Sequence, residues 1–242
     1  MTYSAEDIKK LGTVLGVWAH PDDEAWTSGG IMAAACQNGQ RVVCVTATRG
    51  DAGKTADEEK WPQAQLGAIR ERELDASLAA LGSIDHRWLN YRDGELKAVD
   101  WHQPISELEA IIREVQPDTI LTFGPDGLTG HDDHKTVYAW ACEALHRAAS
   151  RATVYMAIES AEKYDTCGKI LHRVGNIYWA TPEPVTVRNK DADLLFELSG
   201  DVYEKKVDSL KAHASQMTKL FLDPVGGRAL HDYAKIECFC KA

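Results

Sequence analysis

The 242 residues, 44% hydrophobic and 26% charged, are enough to bury a large core and sit at the size where one α/β domain is commoner than two. A formal net charge of −10, with 27 basic residues scattered along the chain, leaves no electrostatic footprint for nucleic acid or an anionic membrane. No run approaches the ~20 apolar residues of a membrane span and no basic leader precedes an apolar stretch, so we expect a cytoplasmic protein whose partner is a small molecule. The six cysteines are irregularly spaced and read as reduced thiols, with Cys238 and Cys240 packing in a strand rather than holding zinc.

The apolar, β-branched run 13–18 predicts a strand, "AHPDDE" a charged loop, and residues 29–39 a helix closed by Gly39. A second buried strand follows at 41–47, then a polar loop to about 61. Leu66, Ile69, Leu74, Leu78 and Leu81 keep near-helical spacing, which predicts a long helix stopped by Gly82. A short strand around "HRWLN" precedes a turn at Asp93-Gly94. The segment "PISELEAIIREVQ" then predicts an amphipathic helix with Pro104 in its first turn. A strand at 118–123, the loop "GPDGLTGHDD", a helix from about His134 to Ser150 and a strand at "ATVYMAI" continue the alternation.

Beyond 160 the pattern weakens to short strands near "NIYWA" and "EPVTV", one helix at about 201–217 and a closing strand in "AKIECFC". Repeated β-α order predicts an α/β, Rossmann-like, mostly parallel sheet with helices on both faces, built as a single domain over 1–242.

In such a sheet, ligands bind beyond the carboxyl ends of the strands. Both "AHPDDE" and "GHDDH" follow buried strands, so imidazoles and carboxylates from distant parts of the chain converge on one crevice. His20 and Asp23, three apart across a proline-stiffened turn, and His134 at a helix start can share one metal ion with a position left open. Asp22 is then placed to take a proton from a water activated by that ion, and His131 to approach the substrate from the opposite side. Glu24 reads equally as a partner of a metal-bound histidine or as a cap, His213 as a packing histidine, and Trp18 and Trp26 as core.

The strings "AHPDDE", "TATRGDAG", "RERELDASLAALG", "LNYRDGEL" and "FGPDGLTGHDDH" together resemble the PIG-L/LmbE-like zinc-dependent de-N-acetylase family over roughly residues 13–150. The later "KVDSLKAHASQM" extends the resemblance to about residue 217 and leaves 151–242 as the divergent part. The resemblance implies a zinc-dependent hydrolase that removes an N-acetyl or other N-acyl group from an amino-sugar conjugate such as an N-acetylglucosamine derivative. It implies His20, Asp23 and His134 as the metal ligands, Asp22 as general base, His131 as the group steadying the oxyanion with Asp133 orienting it, and Arg70 and Asp93 as sugar-holding residues.

Zinc is the expected cofactor, with Fe2+ fitting the same donors, and a homo-oligomer is in keeping with the family. Two departures stand out. Asp132 replaces the proline many members carry, which is expected to raise the pKa of His131, and the loop "GLTGH" lacks the tyrosine that some relatives use as an oxyanion donor.

Two other classes remain. A nucleotide-binding Rossmann enzyme requires a glycine-rich turn after the first strand, and this chain offers a phosphate a wall of carboxylates instead. A catalytically silent metal- or sugar-binding protein, or an amidase for a non-sugar amide, shares the same motifs.

Overall fold

The computed structural model describes residues 2–242. Its elements run, in chain order, β1 (Thr2–Tyr3), β2 (Val14–Trp18), α1 (Asp23–Gln37), β3 (Val42–Thr48), α2 (Leu66–Leu81), β4 (Asp85–Tyr91), α3 (His102–Val115), β5 (Thr119–Phe123), α4 (Gly127–Gly130), α5 (Asp132–Ala148) and β6 (Thr153–Ala157). The remainder is β7 (Glu159–Ser160), α6 (Ala161–Lys163), α7 (Lys169–Gly175), β8 (Thr186–Val187), β9 (Leu194–Glu197), α8 (Gly200–Ala212), α9 (Ala214–Leu222), α10 (Pro224–Tyr233) and β10 (Ile236–Lys241).

Strands β2, β3 and β5 are buried along their whole length, as apolar runs covered on both faces require. They lie in an eight-stranded sheet of order β1-β9-β10-β6-β5-β2-β3-β4. The stretch from β4 to β6 is parallel, whereas β10 runs antiparallel to both β6 and β9. Helices α1 and α2 pack against α8, and α3 against α5, as expected of crossovers that leave opposite edges of a central strand. Strand order reverses at β2, whose neighbours are β5 and β3, so the crevice beyond its carboxyl end is the switch point where such sheets bind ligands.

The expected elements up to residue 158 form, with two shifts: the stretch 124–133 expected as a loop holds the short helix α4 and the start of α5 at Asp132, and α1 also starts earlier than expected. Helix α1 begins at Asp23, so the acids read as loop are its cap and first turn, where the helix dipole favours negative charge. The later part differs more. "NIYWA" is a turn because Asn176 leaves α7 in the left-handed region (φ 51°) and the segment has no strand partner. The helix expected over 201–217 is broken at His213 into α8 and α9. Strand β9 and helices α7 and α10 lie where no regular pattern is legible. The six cysteines are free, as expected, and Cys238 sits buried in β10. No helix among the described residues is long and apolar enough to cross a membrane.

Candidate metal-binding active site

Two loops at the switch point bring the charged motifs together. After β2 the chain turns through His20 and Pro21 into Asp22, a non-glycine residue at φ 108° and the N-cap of α1. Such a backbone is strained for any L residue and persists only where its surroundings hold it. Three contacts, from Glu24 and Arg70, do so. The Asp22 amide donates to Glu24 Oε2 (3.0 Å), Arg70 donates to the Pro21 carbonyl, and the same guanidinium lies 3.2 Å from the Asp22 carboxylate.

After β5, α4 folds back so that the His134 Nδ1–H donates to the Gly127 carbonyl (3.0 Å), which leaves Nε2 for the crevice. Gly127 has φ +72°, and a Cβ there would lie 3.2 Å from that of His134, so both conformation and space call for glycine. The His134 ring stacks on Phe123 at the end of β5, centroids 4.0 Å apart and planes 10° from parallel.

His134 Nε2 lies 3.2 Å from His20 Nδ1 and 3.4 Å from Asp23 Oδ1, and His20 Nδ1 lies 3.6 Å from Asp23 Oδ2. In a tetrahedral set with metal–ligand bonds of ~2.0–2.1 Å, neighbouring donor atoms sit roughly 3.3 Å apart, so two imidazoles and a carboxylate here fit one divalent cation. The other nitrogen of His20, Nε2, is 3.0 Å from Asp93 and 3.2 Å from Asp133, the carboxylate–histidine arrangement that fixes a ligand's tautomer and ring plane. A second group, His20, His131 and Asp133, shares His20 from that side.

The electrostatics follow from burial among like and unlike charges. Burial pushes the Asp22 carboxyl up to about 6 against the pull of Arg70, with Asp23 and Glu24 adding to the rise. Burial also lowers His134, to about 4, and keeps it neutral and able to ligate, although Asp23 pulls the other way. For His20, burial opposes the charged form, but Asp133, Asp23 and Asp93 outweigh it and raise its pKa well above the ordinary value. Asp23 is held well below the usual carboxylate range because His134 and His20 outweigh its burial.

Three expectations change form. The Asp133 carboxylate is engaged by His20, Gly94 and Leu96, and it is the Asp133 backbone amide that donates to His131 Nδ1 (3.1 Å). Asp132 is exposed and pairs with Lys97 and Lys135, while burial and the charge of His20 lower the His131 pKa rather than raise it. Arg70 is buried and also bonds the Gly50 carbonyl, so its donors face protein, with only Nε lacking a partner. Asp93 accepts from the Ala52 amide (2.8 Å) as well as facing His20.

Glu24, left open between two readings, is fully buried. It accepts from His213 Nε2 (2.7 Å), Ser77 (2.8 Å) and the Asp22 amide. Ser215 of the same late motif binds both oxygens of Glu73, which explains the break between α8 and α9. Trp18 is core, edge-on to Phe123, and Trp26 packs against Tyr233. One residue that sequence reasoning passed over lies beside the crevice: Trp179, 64% exposed, with its ring 5.1 Å from that of His131. Its only sequence signal is an aromatic in a proline-rich turn.

Comparison with known proteins places the sequence and the fold. The sequence profile described as "PIG-L: GlcNAc-PI de-N-acetylase" matches residues 15–145. A 1D-myo-inositol 2-acetamido-2-deoxy-alpha-D-glucopyranoside deacetylase of Corynebacterium glutamicum is 31% identical over 223 residues, covering 84% of this chain and 74% of that protein. A deacetylase of the same description from Rhodococcus jostii is 31% identical, covering 85% and 82%. Among solved structures, the N,N'-diacetylchitobiose deacetylase of Pyrococcus horikoshii superposes with a TM-score of 0.69 at 21% identity, covering 97% of this chain and 85% of that one. The 4-carboxy-2-hydroxymuconate hydratase of Pseudomonas putida superposes at 0.62 with 19% identity, covering 92% and 82%, so the fold alone does not select one reaction. The profile spans more than half of the sequence and the curated relatives align over most of it: the chain belongs to the GlcNAc-PI de-N-acetylase (PIG-L) family.

Proposed function

We propose that the protein is a zinc-dependent hydrolase that removes an N-acetyl or other N-acyl group from an amino-sugar conjugate. The observation that carries this reading is the convergence of His20, Asp23 and His134, whose donor atoms lie within 4.8 Å of one another, with Asp22 beside them. These three residues would hold the cation, which when bound supplies Lewis acidity and lowers the pKa of water; Fe2+ fits the same donors.

The chain's own groups do the rest. Asp22, with a carboxyl poised near neutrality, accepts a proton from the attacking water as its oxygen bonds to the amide carbon. It returns that proton to nitrogen as the C–N bond breaks, leaving a carboxylic acid, which passes its remaining proton to solvent, and a free amine. His131 accepts a hydrogen bond at Nδ1 from the Asp133 amide, so its own proton rests on Nε2, and the neutral imidazole donates a hydrogen bond from there to the developing oxyanion. Asp133 fixes His131 through its amide and His20 through its carboxylate. Arg70, whose nitrogens hold Asp22 and the Pro21 and Gly50 carbonyls, would serve the sugar by fixing that turn, and Asp93, held by the Ala52 amide, would line the wall that receives it.

The test is a screen of N-acylated amino-sugar conjugates on metal-reconstituted protein beside Asp22→Asn, a residue that tolerates the positive φ at this position. Turnover should fall by ~10² or more while bound metal is retained. Equal turnover in the two proteins excludes Asp22 as the base, and no turnover of any amino-sugar amide overturns the substrate class.

A further inference from the structure

Trp179 is among the largest apolar side chains left at the surface, 64% exposed, yet its support is rigid. The preceding residue, Tyr178, is buried, and its hydroxyl donates to Glu159 Oε2 (2.7 Å), which also accepts from Tyr233 (2.5 Å). Glu159 is fully buried just beyond the carboxyl end of β6, the strand beside β5, so this anchor stands in the same row of strand ends as the metal-binding loops. On its other side the segment lies against the loop that carries His131. A Cβ on Gly130, itself at φ +82°, would meet the Ala180 carbonyl at 2.8 Å and Thr181 at 3.0 Å.

The backbone that carries the indole is thereby held on both sides. The indole ring lies 5.1 Å from that of His131 and 88° to it, and His131 in turn stacks on His134 at 4.9 Å. A perpendicular contact leaves ring surface uncovered, and here the open surface adjoins the groups that would act on the amide.

We propose that Trp179 is the substrate platform of this site, stacking against the C–H face of the pyranose ring whose acylamino group is hydrolysed. A pyranose presents an apolar face of ring C–H groups and a polar rim of hydroxyls. A flat aromatic surface takes the former without competing for the latter. The assignment rests on the amino-sugar reading above and extends it: specificity for a ring, rather than for the amide alone, comes from the divergent part of the chain. Trp179 acts in binding, before any bond changes, so its effect belongs in KM.

The test compares wild type, W179A and W179F with methyl N-acetylglucosaminide in two assays: acetate release by zinc-loaded protein, and equilibrium binding to chelator-treated protein by calorimetry. In W179A both KM and Kd should rise roughly tenfold with kcat within about threefold, and W179F should retain most of the binding. Equal KM and Kd in wild type and W179A overturn the platform, whatever the protein does to the amide, as does a loss confined to kcat. Binding that depends on Trp179 in a protein releasing no acetate supports the platform and overturns the activity instead. Neither binding nor release overturns both.

Discussion

The ion pair between Glu24 and His213 is fully buried and meets the crevice through the Asp22 amide, which donates to Glu24. It holds the turn on which the proposed base stands, and the fold depends on it in a pH-sensitive way. Opposed by burial but outweighed by Glu24, the His213 pKa is raised, so its contribution is fully present below the ordinary value of 6.5 and fades as pH rises through the folded value. Glu24 is lowered, chiefly by His213 against its burial. Its contribution is present above the ordinary 4.5 and is lost as pH falls through its folded value. Removing one partner strands a buried charge, so Glu24→Ala should cost roughly 3–5 kcal/mol in urea unfolding between those two pH values, and less at alkaline pH. A cost that does not vary with pH would mean that packing, not charge, holds the turn.

At the scale of elements, α1 shows how a helix can be bound from its side. Glu237 of β10 accepts the amides of Gly30 (2.7 Å) and Ile31 (2.8 Å) in mid-helix, and Lys206 of α8 donates to the Trp26 carbonyl (3.1 Å) and to Glu237 (2.6 Å). Both side chains are about 1% exposed. Lys206→Met leaves Glu237 uncompensated and should cost roughly 3–5 kcal/mol, while adding Glu237→Gln should recover part of that loss in a double-mutant cycle by urea unfolding. Strict additivity would show that the two act independently.

Here the limits of sequence reading are plain. The strands β2, β3 and β5 announce themselves because burial on both faces demands unbroken apolar runs, and the residues placed around the crevice sit directly behind two of them. Lys206 and Glu237 look like surface charges in sequence, because nothing local reveals that each will meet the other across 31 residues. The break at His213 is hidden for the same reason: the carboxylates that hold its two sides, Glu24 on His213 and Glu73 on Ser215, lie 189 and 142 residues away. Trp179 is invisible because its meaning lies in a contact with His131, not in any periodicity.

For the molecule as a whole, a cation held by the His20, Asp23 and His134 group would tie the adjacent strands β2 and β5 together at the switch point. Binding to the folded state alone adds about 2.7 kcal/mol at a hundredfold excess over Kd, which for a chain of this size is roughly 5–10 °C in Tm. Zinc should therefore raise the Tm of chelator-treated protein by about that much in scanning calorimetry, and Asp23→Asn should abolish the rise. An equal rise in Asp23→Asn would place the ion elsewhere.

The position of β10 in the sheet, inserted between β6 and β9, has a consequence for biogenesis. Every other described strand leaves the ribosome before it. Until Ile236–Lys241 emerges, β6 presents an unpaired edge and α1 lacks the carboxylate that grips its flank, so the nascent molecule passes through an interval of exposed hydrogen-bonding surface in which chaperone capture or self-association competes with completion.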